Sequence, residues 1–452
     1  MTVLAIVLTF VCMALMFLVD RGYKIAILFM STMLLSMVFV PGGIRSMTAI
    51  TLCFLLSEVF NIDVLWRRFK KSMMLPFVLL TLLSLAISVV NSPNIQSPNP
   101  LIRHFLSEDI TCQFAVVYAF LTLRGKNSIR PLLIVSMVAL LLMTIIAYDN
   151  LVSGYSFFME SLYEDSFMEY DFASTERFRV QATFLNPFDY GYMCVLLALL
   201  HLYGFHSGME SPGLFAAVQI CCFFGVVTCG CRTVLFCYML GLLVYVLAFQ
   251  KSRKNKLLIF ASVLLAGVAA YFTVPVFRKS LLSIFSIFDL NSAVRGSSLA
   301  MRVQQFMSVL SYVDGYYLFG RGIDFFTIDL GWENGASSAF DSDLYGLEGI
   351  YLEMLLERGI VGFAIFLATV TILLVSITRN RFLGRKLYAL GMSVFVLYIA
   401  FIFMTGELMS TTPTYYVLGY VIANLDLRRR YVEFRKRRLC PASRRISSTV
   451  SC

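Results

Sequence analysis

Apolar residues in this chain form long continuous runs separated by short polar connections, rather than the alternating pattern of half-buried strands. Backbone groups in lipid must satisfy their own hydrogen bonds, so a membrane is crossed by helices or by a closed barrel. The lack of alternation excludes the barrel, and runs approaching about 20 residues match the thickness of a bilayer. The predicted spans are 2–19, 25–40, 47–62, 73–91, 110–123, 131–148, 190–206, 213–230, 233–249, 257–275, 359–377 and 387–404, with a weaker one at 413–427.

The predicted fold class is an all-α polytopic membrane protein of about 12–13 transmembrane helices with two large outer loops. The run at 2–19 has no basic segment before it and no small-residue cleavage site, so we expect a first span rather than a removable signal. The predicted parts are N-terminal helices (1–148), a loop (149–189), central helices (190–275), a larger loop (276–351), C-terminal helices (352–427) and a basic tail (428–452).

The two loops are far longer than ordinary connections, and long connections in compact proteins usually carry function. Within the second loop, residues 284–290 and 299–313 have the apolar spacing of helices. We therefore expect the second loop to fold back onto the membrane surface.

Composition agrees with the membrane class, because 59% of the 452 residues are hydrophobic and only 14% are charged. A soluble domain has about 25% charged residues. The net charge of +10 comes largely from short basic clusters between the apolar runs, the pattern that retains loops in the cytoplasm. This distribution favours membrane orientation and lipid headgroup contact over nucleic-acid binding. The clusters are Arg67, Arg68, Lys70 and Lys71; Arg124, Lys126 and Arg130; Lys251, Arg253, Lys254 and Lys256; Arg379, Arg381, Arg385 and Lys386; and the tail from Arg428 to Arg445.

Placing these clusters inside puts residues 92–109, 149–189 and 276–351 outside, together with a turn at 229–232. With the outer ends of the adjoining spans, which add Arg45, Arg358, Glu353, Glu357 and Glu407, the outside segments carry 21 of the 27 acidic residues but only 11 of the 37 basic ones, and ten of those 11 are Arg. Lys serves as well for solubility, whereas Arg is preferred where a planar fork must grip phosphate or carboxylate. Thirteen spans place the N-terminus outside.

The eleven cysteines do not predict a disulfide framework or a metal site. Most of them lie inside apolar runs, where a thiol behaves as a small hydrophobe. Cys229 and Cys231 form a C-x-C pair, but the chain has three His residues and no zinc-like set of partners. We predict no metal and no cofactor.

Two candidate features lie where outer segments meet predicted spans. Residues 177–191 place Arg177, Arg179, an Asn-Pro turn and Asp189 at one outer mouth. Arg232 lies where one span ends outside and the next begins. Ionisable groups at membrane depth are costly and by default indicate function. The alternative for Arg232 is snorkelling to the interface.

Two further features lie in the second loop. Arg302 is followed by the segment 317–324, in which Gly320 and Gly322 suit a tight turn or a close approach to a ligand. Asp341, Asp343 and Glu348 then precede a helix that returns into the membrane. The alternative is that Asp341 and Asp343 are solvated loop acids.

In this order, these features resemble the O-antigen polymerase and ligase family of bacterial envelope polysaccharide assembly. The resemblance covers about residues 177–375. Its first three motifs are an Arg-rich approach to an Asn-Pro turn, a Ser-Arg-Thr-like junction (here Cys231-Arg232-Thr233) and a Leu-x-Gly-x-Gly motif (Leu318 to Gly322). The last motif has the sequence Glu348-Gly349-Ile350-Tyr351-Leu352, followed by Glu357-Arg358-Gly359-Ile360-Val361-Gly362. The His expected of ligases is Glu348 here and the Asn after it is Gly349, which favours a polymerase.

The resemblance implies a GT-C-like bundle in the bacterial inner membrane, with its active site facing the periplasm. The implied donor is a polyprenyl-diphosphate-linked oligosaccharide, used without nucleotide sugars or a required metal. The implied product is O-antigen, capsule or exopolysaccharide. The implied partners are this donor, membrane lipids, a chain-length regulator and a flippase, and no nucleic acid.

The candidate residues suit this chemistry. A sugar–diphosphate bond breaks with growing negative charge on the leaving group, which fixed cations stabilise. Arg232 and Arg302 are the predicted catalytic cations. The acceptor hydroxyl must lose a proton, and Glu348 is the predicted general base. The predicted substrate-binding residues are Arg177, Arg179, Asp343 (the reserve base), Arg321 and Tyr351.

Two other functions remain open at this stage. An O-antigen ligase or related oligosaccharide transferase would use the same fold and donor with a different acceptor. A multi-pass transporter or flippase often has internal repeats and charged or broken helices at the midplane. The predicted spans hold few charges, with Glu58 the main exception, and the charges concentrate in the outer loops.

Overall fold

The computed structural model describes residues 2–35, 38–40, 44–93, 98–154, 179–184, 186–250, 252, 254, 272, 299–325, 329–330, 349–404 and 411–439. Over these residues the protein is helical, apart from one short antiparallel pair of strands, β1 (Phe39–Val40) and β2 (Ile44–Arg45). The predicted span 257–275 falls almost entirely outside the described residues. Every other predicted span overlaps a helix, although the span predicted at 25–40 runs past the end of α2 at Leu34 and into β1.

The helices follow one another with short connections wherever consecutive ones are described. They are α1 (Thr2–Leu18), α2 (Arg21–Leu34), α3 (Ser46–Glu58), a 3-10 turn (Val59–Asn61), α4 (Ile62–Phe69), α5 (Met74–Val90), α6 (Pro98–His104), a π-helix (Phe105–Gln113), α7 (Ala115–Thr122), a second 3-10 turn (Lys126–Ile129), α8 (Arg130–Ser153), α9 (Pro187–His206), α10 (Pro212–Thr228), α11 (Arg232–Phe249), α12 (Leu299–Tyr312), α13 (Ile350–Thr378), α14 (Arg385–Met404) and α15 (Thr412–Leu439).

Six helices in the described part of the chain are long and apolar enough to cross a membrane. Three further apolar helices are shorter, at Val3–Leu18, Met74–Val90 and Pro212–Thr228. The all-α polytopic membrane class predicted from the sequence is therefore confirmed. The six are Ser46–Phe69, Lys126–Ser153, Pro187–His206, Arg232–Phe249, Ile350–Thr378 and Arg385–Met404.

Helical structure extends beyond several of the predicted bounds, including those of the connection at 92–109 and of the basic tail. The connection predicted at 92–109 contains α6 and the start of the π-helix. The basic tail predicted from residue 428 begins inside α15, which continues to Leu439. There Arg430 pairs with Asp426 four residues earlier at 2.8 Å, a spacing that supports a helix.

The core of the bundle is α9, which is buried on all sides and packs against α10, α11 and α14. A helix that is apolar all round lies at the centre of its fold. Glycines allow its neighbours to approach closely, because a Cβ on Gly225 of α10 would lie 2.4 Å from the Cys194 sulfur. On another side, Tyr192 of α9 stacks on Phe401 of α14, with ring centroids 4.0 Å apart.

The bundle has two chemically different ends. We call the end where α9 and α11 begin the site end, and the end where α9 finishes and α14 begins the basic end. At the basic end, Arg68 donates to the Leu121 carbonyl at 3.1 Å, and the Asn424 amide donates to the Leu123 carbonyl at 3.0 Å. Lys126, Arg385 and Arg428, from three of the basic clusters, line one space at this end, as the alternation of spans predicts.

Candidate functional site

Helix α13 is broken at Gly359, whose backbone has φ 61° and ψ −164°. In a continuous helix, the N–H groups of Ile360 and Val361 would bond to the carbonyls four residues earlier. Here they donate to the carbonyls of Tyr317 and Leu318, at 2.9 and 3.1 Å. A broken membrane helix is tolerated because another segment satisfies the freed backbone groups.

That segment is residues 316–325, which we call the docking loop. Its N–H groups at Arg321 and Gly322 donate to the freed carbonyls of Leu356 and Glu357, both at 2.8 Å. Four backbone hydrogen bonds therefore join the docking loop to the two sides of the break.

Two glycines make this docking possible. A Cβ on Gly320 would lie 2.4 Å from the backbone of Glu357, and one on Gly322 would lie 2.2 Å from the Cα of Ser92. Both glycines have positive φ, at 67° and 98°. The close approach expected of this Gly-x-Gly is an approach to α13 and to the end of α5, so the motif is structural here.

The docking loop is also bonded to the end of α5. The N–H of Ile323 donates to the Ser88 carbonyl at 2.8 Å, and the Asn91 side-chain amide donates to the Gly320 carbonyl at 2.9 Å. The docking loop thus fixes α5 against α13, and the two helices pack along their length.

Arg358 lies beside the break and is only 1% exposed. Its Nη1 donates to the Ser84 hydroxyl at 2.8 Å, and its Nη2 lies 2.6 Å from Nε2 of His104. The same Nη2 lies 3.8 Å from the Glu108 carboxylate. A buried guanidinium needs such partners, since an unpaired charge at this depth is strongly destabilising.

His104 connects Arg358 to Glu108. Its Nε2 lies 3.1 Å from Oε2 of Glu108 as well as 2.6 Å from Arg358. A neutral imidazole nitrogen can accept from the guanidinium or carry a proton toward the carboxylate, but it cannot do both. Through Nε2, His104 can therefore bond only one of these two neighbours at a time.

Two carboxyl groups in this region have perturbed acidity. Burial, reinforced by Glu353 and opposed by His104 and Arg358, raises the pKa of Glu108 to about 7. Glu108 precedes the predicted span at 110–123. Burial would also raise the pKa of Asp324, but His104 and Arg103 outweigh it and hold that pKa below its usual value. Arg103 pairs with Asp324 at 3.1 Å.

These residues form one group, which we call the charged cluster: Arg103, His104, Glu108, Asp324 and Arg358. A cavity of about 10 Å³ lies beside it, roughly the space that one water occupies. The cavity is lined by Thr81, Ser84, Gln113, Met354, Arg358, Ile365, Phe366 and Thr369. Among the described residues, no group of three or more His, Cys, Asp or Glu side chains could hold a metal ion.

A second group of charges lies at the junction of α10 and α11, which we call the helix junction. Arg232 is the first residue of α11. The Arg179 side chain reaches the same turn, because a Cβ on Gly230 would lie 3.3 Å from its Cγ. Asp189, in the first turn of α9, lies with Arg179 within electrostatic range of the Cys231 thiol. The start of a helix favours anions, and the two arginines add to that preference.

The start of α15 lies between the charged cluster and the helix junction. The Tyr192 hydroxyl of α9 is 2.6 Å from the Thr414 hydroxyl. On the other side, Thr412 lies beside the Cys112 thiol of the π-helix, which is within electrostatic range of Glu108. Both groups of charges therefore belong to the site end and border one helix start.

The structure places four of the eight predicted site residues with their side chains. Arg179 and Arg232 lie together at the helix junction. Arg321 donates through Nε to the Tyr312 carbonyl at 2.6 Å and lies over the Tyr316 ring, so its contacts are within and beside the docking loop. Tyr351 stacks on Phe403 at the end of α14, with ring centroids 5.2 Å apart.

The other four predicted residues are not described in full. Glu348, Asp343 and Arg177 lie outside the described residues, and Arg302 lies in α12 with its side chain outside them. Their roles stay predictions.

None of the five residues of the charged cluster is among the site residues predicted from the sequence. Arg358 stands in the motif that carries the family resemblance, but the motif alone assigns it no separate role. The feature that could have identified Arg358 is a charge beside a glycine at the start of a long apolar run. His104 and Glu108 gave a weaker signal, because their segment reads as a connection.

Comparison with known proteins agrees with this region. Residues 217–367 match the family model described as O-antigen ligase, and this match confirms the predicted resemblance over those residues. They include Arg232, the docking loop and the break at Gly359. A search of the curated proteins finds no match. The family match indicates a membrane glycosyl transfer of the O-antigen ligase or polymerase type that uses lipid-linked oligosaccharide.

Proposed function

We propose that this protein is a polysaccharide polymerase of the bacterial inner membrane. It transfers a polyprenyl-diphosphate-linked oligosaccharide to the end of another repeat unit on the periplasmic face, without a metal. The observation that carries the proposal is the gathering of arginines and carboxyls at the site end, within and around the segment similar to O-antigen ligases. The product is O-antigen, capsule or exopolysaccharide.

The helix junction binds the diphosphate of the donor. Breaking the sugar–phosphate bond leaves the negative charge on the lipid diphosphate, next to the membrane surface. Arg179, Arg232 and the start of α11 supply cationic and N–H groups that are already in place, so little reorganisation is needed as charge develops. Arg177 and Arg302 complete this set from the two loops.

Two carboxyls are candidates for the base that deprotonates the acceptor hydroxyl. Glu348 occupies the position at which the resemblance expects a His. Glu108 has a pKa raised to about 7, close to the value that suits a general base at neutral pH. Arg358 then acts as a positioning residue, because it holds His104 and Glu108 without itself reaching the acceptor.

Matched Gln substitutions of the two carboxyls distinguish them. We expect Glu348→Gln or Glu108→Gln to lower the rate of chain extension by about 10²–10⁴-fold, the usual contribution of a general base. The variant with the lower rate identifies the base, provided that donor binding persists. Full activity in both variants would exclude both residues from this role.

An O-antigen ligase is the second candidate, and the description of the matching family model favours it. Glu348 in place of the His expected of ligases favours the polymerase. Deleting the gene and analysing the surface polysaccharide separates the candidates. A polymerase defect removes long chains and leaves single repeats attached, whereas a ligase defect removes attachment of all repeats. Retention of normal chains would contradict both.

A further inference from the structure

The basic end contains a pocket formed by four cationic residues from three parts of the chain. It has a volume of about 400 Å³, the size of a small-molecule site. We call it the basic pocket, and its lining residues are Lys126, Tyr203, Ser207, Arg385, Lys386 and Arg428. No carboxylate is among these residues.

The nearby carboxylates are engaged elsewhere. Asp426 pairs with Arg124, Arg429 and Arg430, at 3.8, 3.1 and 2.8 Å. Glu210 lies 2.8 Å from Nδ1 of His201. The positive charge of the basic pocket is therefore not neutralised by these neighbouring acids.

The walls of the basic pocket are held in place by hydrogen bonds to the backbone. Arg428 donates from Nη1 to the Leu383 carbonyl at 3.0 Å, and Gly384 leaves room for it, since a Cβ there would lie 2.8 Å from Nη1. Lys386 donates to the carbonyl of His206. A site whose cations are already positioned loses less conformational entropy when a ligand binds.

The start of α14 adds to this field. Arg385 is its first residue and Lys386 the second, so the positive end of the helix borders the same space. The Ser207 hydroxyl also lines the basic pocket, whereas the Tyr203 hydroxyl is bonded to that of Tyr420 at 2.9 Å. Cations, a helix start and hydroxyls together are the groups that bind phosphate oxygens.

We propose that the basic pocket binds a phosphate group, carried by an anionic lipid headgroup or free in solution. Basic pockets between transmembrane helices are known sites for anionic headgroups. The basic pocket is distinct from the helix junction, because Tyr203 lies about 21 Å along α9 from Asp189 at 1.5 Å per residue. This site is independent of the transfer reaction proposed above.

The test compares two variants of the full-length protein, purified in detergent. Lys126→Gln combined with Arg385→Gln removes two charges from the basic pocket. Arg379→Gln combined with Arg381→Gln removes two charges from the same end outside the lining. Native mass spectrometry of each protein with phosphatidylglycerol and with phosphatidylcholine gives apparent dissociation constants.

We expect the pocket variant to bind phosphatidylglycerol about 30-fold more weakly. Each cation removed from beside an anionic headgroup should lower the affinity about fivefold, and the two losses multiply. The control variant should stay within about twofold of the unmodified protein, and phosphatidylcholine binding should not change. Lys126→Gln alone provides the same test at about fivefold if the double variant does not fold.

A second arm measures the thermal midpoint in inorganic phosphate against sodium chloride at equal ionic strength. If the pocket variant loses affinity for phosphatidylglycerol and the control variant does not, a lipid headgroup is the source of the phosphate group. If the pocket variant loses only the thermal stabilisation by inorganic phosphate, the ligand is a free anion. Equal losses in the pocket and control variants, or no loss in either arm, would overturn the proposal.

Discussion

The two ends of this bundle use arginine in opposite ways. At the site end, Arg358 is buried beside a helix break and contacts Ser84, His104 and Glu108. At the basic end, Arg385 and Arg428 border an open pocket and have no carboxylate beside them in the lining. The same side chain therefore stabilises a buried network at one end and leaves positive charge available at the other.

The difference follows from what surrounds each charge. Removing a guanidinium from water is costly, so a buried one is retained only with partners that compensate it. A cation at an exposed helix end remains hydrated and needs no such partner, but it contributes little to the free energy of unfolding. We therefore expect substitutions at the site end to affect folding and activity, and those at the basic end to affect ligand binding.

The largest expected effect is on stability, from Arg358→Met. This change keeps the apolar stem of the side chain but removes the guanidinium, and it leaves His104 and Glu108 without their cation, which costs about 3–5 kcal/mol. Unfolding in detergent micelles, followed by circular dichroism, measures the loss. Arg379→Met at the basic end is the matched control and should cost less than about 1 kcal/mol. Equal losses in the two variants would remove the distinction between the two ends.

The next effect is on activity, from Arg232→Ala. Loss of one cation that stabilises the departing diphosphate should lower the rate of chain extension by about 100-fold or more. An assay with purified protein and a lipid-linked donor measures it, and insertion and expression should be normal. Arg379→Ala, with a similar change in charge, should remain within about twofold. An active Arg232→Ala enzyme would exclude the helix junction as the diphosphate site.

A pair of glycine substitutions compares the packing of the two ends. In Gly320→Ala the new Cβ meets the rigid backbone of Glu357 at 2.4 Å, and φ is 67°. We expect a loss of about 1–3 kcal/mol, since both the contact and the conformation are unfavourable. In Gly384→Ala the Cβ meets a guanidinium at 2.8 Å, which can move aside, so the loss should be under about 1 kcal/mol. Unfolding midpoints of the two variants test the order, and a reversed order would contradict it.

Glu108→Gln should also change how the stability of the folded protein depends on pH. Because the folded protein raises the pKa of Glu108 to about 7, it holds a proton that the unfolded chain has already released. Stability should therefore fall as pH rises from about 5 to 7, by at most about 1.4 kcal/mol per pH unit from this group. The Gln variant lacks this contribution, and its unfolding midpoint should change less over the same range. An identical pH profile in both proteins would show that Glu108 does not titrate there.

Hydropathy was enough to predict the helices, because a span needs only a long apolar run and lipid leaves the backbone few alternatives. The charged cluster could not be predicted in this way. His104 and Arg358 are separated by 254 positions, and one sequence contains no signal that brings them together. The polar residues of 92–109 interrupt the apolar pattern and therefore predict a connection, yet residues 98–109 belong to α6 and the π-helix.

Some residues of the candidate site could be predicted from the sequence, but their neighbours in the fold could not. Arg232 stood out as a lone charge between two apolar runs, and the structure places Arg179 at the same turn. At Gly320 and Gly322 the sequence predicts a tight turn or a close approach to a ligand, but it could not say what approaches them. The answer is the backbone of α13 and of Ser92, an arrangement of peptide groups that leaves no pattern in the side chains.

Docking by peptide groups has a consequence for how this protein can change. The bonds that hold residues 316–325 to Gly359 depend on the main chain, which every residue except proline supplies in full. The side chains of Tyr317 and Leu318 are exposed, at 45% and 60%, and take no part in those bonds. A randomised library at these two positions should therefore retain the fold while it changes the side chains exposed on the surface of this loop. The loop surface can vary in sequence without loss of the backbone hydrogen bonds that attach the loop to α13.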